Sequence, residues 1–284
     1  TRLNFVNLWK QITCNCLLTF GLTCCLITGF PDLSVGSHVA LATVEVCMYQ
    51  NMGLSLEVSV ALTLLVGILI GATNGFIFSR TEMPAYIVTL AMQNVLRGVA
   101  YVLTNGGAVI VEDDKNMKFF NLSNATIGGW LPYSTLILVV AFILISIMLK
   151  RTVFGRHMYA VGGNSSTAIY SGIDVKNIRL IVFTLSGFLA AMAGVLTASR
   201  VYSGQPTTGV GFEGEAIASA VLGGVSFTGG VGTLSGSLIG IMIMGVMSNG
   251  MNLLQINYYW QLVVKGIIIL VAVYVDQVKR AKTK

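Results

Sequence analysis

Apolar stretches of membrane-crossing length recur along this chain with short polar gaps between them. They fall at about 12–30, 35–52, 56–78, 85–103, 133–149, 178–200, 213–228, 232–255 and 260–276. A helix needs roughly 20 apolar residues to cross a hydrocarbon core about 30 Å thick. The pattern therefore predicts an all-α fold, a polytopic transmembrane helix bundle of about nine spans, with 213–228 the weakest. No polar stretch between the runs has the length of a soluble domain, so residues 1–284 read as one transmembrane domain.

Glycine punctuates this pattern in two ways. Gly67, Gly71 and Gly75, and again Gly232, Gly236 and Gly240, follow small-xxx-small spacing. That spacing puts each set on one helix face and predicts close packing against another helix. Elsewhere glycines mark breaks: Asp32-Leu-Ser-Val-Gly-Ser37 in the first half, Gly223-Gly224 and Gly229-Gly230 in the second. Each break is followed by a Gly-spaced helix ending near an Asn-Gly pair, Asn74-Gly75 or Asn249-Gly250. Repeated broken helices are common in transporters, and the two halves read as a pseudo-duplication.

Composition agrees with the pattern. Hydrophobic residues make up 55% of the chain and charged residues 10%, against about 25% charged in soluble domains. The few charges are placed unevenly. The segment 150–179, which includes the loop at about 150–177, holds Lys150, Arg151, Arg156, Lys176 and Arg179 against Asp174, and the tail holds Lys279, Arg280, Lys282 and Lys284. The positive-inside rule makes both cytoplasmic. The loop at about 104–132, with Glu112, Asp113 and Asp114 against Lys115 and Lys118, reads as external. Nine crossings then put Thr1 outside and the C-terminus inside. An external start with neither initiator Met nor signal peptide predicts an upstream helix, ten spans in the complete chain. Topology thus accounts for the basic balance, and no nucleic-acid partner is needed.

Candidate chemistry is sparse. Cys14, Cys16, Cys24, Cys25 and Cys47 lie in apolar runs without a CxxC pair, and His38 and His157 stand on different segments. No metal site is expected, and the cysteines read as small apolar packing. There is no G-x-x-x-x-G-K-[ST], so the chain binds no nucleotide phosphate by that motif. Gly230-Val-Gly232 with Gly236 follows no strand and is no dinucleotide fingerprint. No nucleophile is paired with a base, and no catalytic residue is expected.

Charges within or beside spans are costly and usually face a cavity or a partner. Glu45 and His38 share a face of one helix; they read as an interhelical hydrogen bond or as a proton relay. Arg97 and Lys265 lie near outer helix ends and are expected to snorkel. Asp32 precedes a helix starting near Ser34 and is placed to favour its dipole. Asn94, Asn249, Asn252 and Gln261 read either as amides facing a path for an uncharged, hydroxyl-rich solute or as helix-to-helix hydrogen bonds. In the loop after 150, Ser165–Ser171 is predicted to form a short helix capped by Asn164 and stopped at Gly172.

Asp32-Leu-Ser-Val-Gly-Ser37, Leu96-Arg-Gly98 with Thr104-Asn-Gly106, Ala160-Val-Gly-Gly-Asn164 with Ser171-Gly-Ile173, and above all Gly211-Phe-Glu-Gly-Glu-Ala-Ile-Ala218 run on through Val221-Leu-Gly-Gly224, Gly229-Gly-Val-Gly232, Asn249-Gly-Met-Asn-Leu253, Tyr259-Trp-Gln261 and Val264-Lys-Gly266. From about Asn4 to Lys279 the sequence resembles the permease subunit of bacterial ATP-binding-cassette sugar importers of the ribose/galactoside type. The resemblance implies a multi-pass subunit of the bacterial cytoplasmic membrane. It implies three partners: a cytoplasmic ATPase carrying ATP and Mg, a periplasmic or lipid-anchored sugar-binding protein, and a second permease subunit. It also implies that the 155–175 loop couples to the ATPase, through Gly155, Arg156, Gly162, Gly163, Asn164, Ala168, Ser171 and Gly172. Asp32, Asn94, Asn249 and Asn252 are the candidates for the solute path. Phe30-Pro31 depart from the family pattern, and so do Ser165, Ser166 and Ile169. The expected solute is a monosaccharide, with an autoinducer, a nucleoside or a branched-chain amino acid as alternatives. A secondary transporter driven by a Glu45–His38 proton relay is the reading from another mechanism.

Overall fold

A computed structural model describes residues 2–81, 83–111 and 117–281. The chain runs α1 (Arg2–Ile27), α2 (Val35–Asn51), α3 (Leu56–Arg80), α4 (Ala85–Thr104), β1 (Val109–Ile110), α5 (Met117–Asn124), β2 (Thr126–Ile127), β3 (Leu131–Pro132), α6 (Ser134–Arg151), α7 (Val153–Gly163), α8 (Ser165–Tyr170), α9 (Val175–Val201), β4 (Ser203–Gly204), α10 (Phe212–Leu222), α11 (Leu234–Leu253) and α12 (Tyr258–Ala281). Six of these, α1, α3, α4, α6, α9 and α11, are long and apolar enough to cross a membrane. α2 is shorter at 17 residues and α10 has only 11. Glu112, Asp113, Asp114 and Lys115 of the 104–132 loop, and Lys282 and Lys284 of the tail, lie outside the described residues.

The hub of the bundle is α1 with α9. The main core gathers Leu17, Phe20, Leu22 and Leu26 of α1 with Val182, Leu189 and Leu196 of α9, joined by α6, α10 and α11. All five cysteines are buried and free, Cys14, Cys16, Cys24 and Cys25 in this core and Cys47 in a smaller cluster with Phe119 and Val195, as the apolar-packing reading expects.

Backbone-to-backbone approach fixes two crossings. On α3, a Cβ at Gly71 would run into the Phe183 carbonyl of α9, and one at Gly75 would sit 2.8 Å from Leu180 Cα. α9 answers with its own Gly187, which faces the Gly67 carbonyl. The second crossing joins α10 and α11, where Gly236 and Gly240 press on the backbone at Gly223 and Ser219. Gly232 does not belong to that face. It precedes the helix, in a loop (223–233) where Gly224, Gly229, Gly230 and Gly232 all take positive φ. A right-handed helix cannot pass through such residues, so the apolar run at 213–228 ends as a helix at Leu222.

The short strands tie the loops together. β2 and β3 form a hairpin, and β1 pairs antiparallel with β4, Val109 opposite Gly204. That pairing pins the exit of α9 beside the exit of α4, and it positions the segment 205–211 described next.

Candidate functional site

Two polar or glycine-built junctions stand out from the apolar bundle. The first lies at the end of the molecule carrying α7 and α8. Thr152 caps α7, accepting from Gly155 N at 3.1 Å, and Asn164 caps α8, accepting from Thr167 N at 2.9 Å. Gly172, at φ +79°, ends the turn after α8. The short capped helix is as expected from the sequence. It presents Ile169 and Tyr170 to the outside, 59% and 91% exposed, while Ala168 is buried beneath them.

α7 is wedged between the two chain breaks. The Gly230 amide donates to the Ile27 carbonyl at 2.8 Å, joining the turn after α1 to the 223–233 loop. Gly162 of α7 packs on both, with no room for a Cβ against Ile27 or Gly230. The Tyr159 hydroxyl donates to the Gly232 carbonyl at 2.9 Å. α7 is therefore in direct contact with the loop that joins α10 and α11.

The second junction lies near the middle of α4. From β4 the chain turns back alongside α4, and Arg97, about two turns from the α4 exit, holds it. The Arg97 guanidinium donates through Nη1 to the carbonyls of Pro206 and Thr208, and through Nε to Ser37 Oγ of α2 at 3.2 Å. Arg97 thereby satisfies two backbone carbonyls of this non-helical segment. Gly209 then packs on Gly36 of α2, backbone to backbone. Gly211 at φ +81° starts α10, whose first turn carries Glu213 and Glu215, a placement the helix dipole favours. Glu213 Oε1 accepts from Gln93 Nε2 at 3.3 Å, and Glu215 pairs with Lys265 of α12 at 3.1 Å.

These contacts correct the expectation that Arg97 and Lys265 snorkel toward a helix end. Each charge is held inside the chain by a partner remote in sequence.

The predicted residues divide as follows. Of the coupling set, Arg156, Gly163, Asn164, Ser171 and Gly172 face outward, whereas Gly155 and Ala168 are buried and Gly162 packs inward. Asp32 is buried at the turn before α2, accepting from Ser34 N at 3.0 Å, Ser34 Oγ at 2.7 Å and Ser186 Oγ at 2.9 Å. It ties the α1–α2 break to α9. Asn94 is exposed on α4 beside Gln93. Asn249 and Asn252 are near the far end of α11, where Asn252 accepts from Gln261 Nε2 at 2.8 Å. α4 packs on α2 and α3, and α11 on α10 and α1, so Asn94 is not brought together with Asn249 and Asn252. His38 is buried against Gly67, and no hydrogen bond joins it to Glu45. Sequence reasoning missed Gln93 and the role of Arg97; the partners of Arg97 are backbone carbonyls, which leave no mark in sequence.

The family profile described as "Branched-chain amino acid transport system / permease component" matches residues 4–273. This chain belongs to that permease family. Among its relatives are the ribose import permeases of Bacillus subtilis (strain 168) and Escherichia coli (strain K12). Each is 39% identical, with 98% of this chain and 86% of the relative covered. The L-arabinose transport system permease of Escherichia coli (strain K12) is 40% identical, covering 99% of this chain and 84% of the relative. No solved structure matches. The permease is a multi-pass helical membrane protein, and its two junctions sit on segments that carry the family resemblance: Leu96-Arg-Gly98 and Gly211-Phe-Glu-Gly-Glu215 at the inner one, Ala160-Val-Gly-Gly-Asn164 at the outer one.

Proposed function

We propose that this chain forms the translocation path of an ATP-driven importer for a monosaccharide of the ribose or arabinose class. The carrying observation is that permeases named for those two pentoses match it along nearly its whole length. The family description names branched-chain amino acids instead, so leucine is the competing solute to test. ATP and Mg belong to a separate ATPase, and a sugar-binding protein delivers the solute on the opposite side. A second permease subunit completes the path.

In this reading α7 and α8 are cytoplasmic and meet the ATPase. Support comes from the basic residues around them and from the outward Ile169 and Tyr170 on a firmly capped helix. The N-terminal end of α1 is then external and α12 ends in the cytoplasm of a bacterial cell, the chain crossing its inner membrane. α2, α12 and the α10 half-helix with its re-entrant lead complete nine crossings, one fewer than the ten that the resemblance implies. Two breaks at equivalent places, after α1 and after α10, fit a duplicated architecture. Force from the ATPase travels through Gly162 and Tyr159 to the 223–233 loop and so to α10.

The test is uptake of labelled D-ribose, L-arabinose and leucine by proteoliposomes holding the assembled importer. Uptake of a pentose that requires ATP and the ATPase supports the proposal; leucine uptake without pentose uptake refutes the solute assignment.

A further inference from the structure

We infer that Gln93, Arg97 and Glu213 form a station for sugar hydroxyls inside the membrane, where the 205–211 segment meets the start of α10. The inference rests on the sugar-permease reading above and deepens it.

Gln93 and Glu213 are joined by a hydrogen bond, Arg97 holds the segment that leads to them, and none of the three is used up. Arg97 spends Nε and Nη1 on Ser37, Pro206 and Thr208, and no described residue accepts from its Nη2. Glu213 accepts from Gln93 through Oε1, and the backbone N–H groups of Glu213 and Gly211 and the Arg97 charge also favour its carboxylate, while no hydrogen bond reaches its buried Oε2. Arg97 and Glu213 form no ion pair with each other. The cluster thus keeps one planar cationic donor and one carboxylate acceptor, set on different elements around an amide. A carboxylate oxygen without a partner at membrane depth is expensive to maintain, and its retention calls for a ligand.

The chemistry fits one solute class. Each sugar hydroxyl both donates and accepts, so a vicinal diol takes a donor and an acceptor side by side. A permease must also release what it binds, and a ligand drives a change only by differing in affinity between two states. The structure supplies the difference. Glu213 Oε2 lies against Gly36 of α2, where even a Cβ would collide with it. The acceptor is covered in this arrangement and is unmasked when α10 moves away from α2. Movement of α10 is what the α7 wedge transmits. Arg97 holds the segment leading into α10 on one side and the start of α2, through Ser37, on the other, so the same residue marks the hinge.

The experiment uses the complete importer, permease with its ATPase and sugar-binding protein, in proteoliposomes, with D-ribose as probe. Glu213→Gln and Gln93→Ala should each lower ribose uptake by about tenfold or more, since a site built to bond a hydroxyl is sensitive to loss of one group. ATP hydrolysis stimulated by the loaded binding protein should stay within about twofold of wild type, because the ATPase contacts are remote. Normal uptake in both variants overturns the station and leaves the sugar-permease reading standing. No monosaccharide uptake by the wild-type importer overturns both. Should the variants fail to assemble, Asn94→Cys gives an independent reading, since Asn94 is exposed one residue from the station and the five native cysteines are buried. Ribose present during turnover should slow its maleimide labelling; labelling indifferent to ribose overturns the station.

Discussion

Lys265, Arg97 and Asp32 are each held by specific partners inside this bundle, an ion pair, backbone carbonyls and serine hydroxyls respectively, and this makes their removal informative. Lys265 and Glu215 are 23% and 11% exposed and 3.1 Å apart. Lys265→Met leaves Glu215 unpaired at membrane depth, and it should destabilise the detergent-purified chain by about 1–3 kcal/mol. Adding Glu215→Gln should recover most of that loss in a thermal unfolding assay; a double variant as unstable as the single one would mean that the pair is not the cause. Glycine offers a second contrast. Gly71→Ala drives a methyl into the Phe183 carbonyl and should cost roughly 1–3 kcal/mol, whereas Gly98→Ala meets nothing within 4 Å and should leave the isolated chain as stable as before. The face of α3 was legible from the spacing of Gly67, Gly71 and Gly75 alone. Its partner was not, because Gly187 on α9 sits more than 100 residues away and spacing says nothing of what it meets. Arg97 was misplaced for the same reason: its partners are carbonyls at Pro206 and Thr208.

At the level of elements, most apolar runs became helices with ends close to those expected, although α1 begins at Arg2, ten residues before its run, and α12 continues to Ala281. The exception explains itself. The 213–228 run is apolar enough to cross, but four glycines at positive φ beyond Leu222 turn it into a half-helix and a loop. The same glycines misled the spacing argument, which counted Gly232 into a helix that starts only at Leu234. The capped turn of α8 was fully legible, since Asn164 and Gly172 carry strong local signals. Asn164→Ala removes the acceptor for Thr167 N and should weaken α8 by about 1 kcal/mol. Because α8 adds only Ala168 to the core, thermal unfolding of the bundle should change little while ATP-driven uptake falls. Loss of bundle stability with uptake intact would contradict the assignment of α8 to coupling.

The whole molecule couples an outward-facing helix pair to an interior junction through one glycine-lined wedge. α8 offers Ile169 and Tyr170 outside; α7 presses on the breaks after α1 and α10; α10 carries Glu213 at its partly buried start. In the proposed reading energy would enter at one end of this chain of contacts and the solute would be handled at the other. The candidate path residues predicted from sequence do not come together as the capped helix α8 does. Asn249 and Asn252 are far from Asn94 in this chain, and amides in helices look alike whether they face a path or another helix. The rival proton relay finds His38 and Glu45 unjoined. One measurement tests the account most directly: D-ribose and L-arabinose uptake into proteoliposomes carrying this chain with its ATPase and sugar-binding protein, with ATP or a proton gradient as the energy source. The account predicts pentose uptake that needs ATP and both partners and ignores the gradient. Uptake by this chain alone, driven by the proton gradient without ATP, would contradict it.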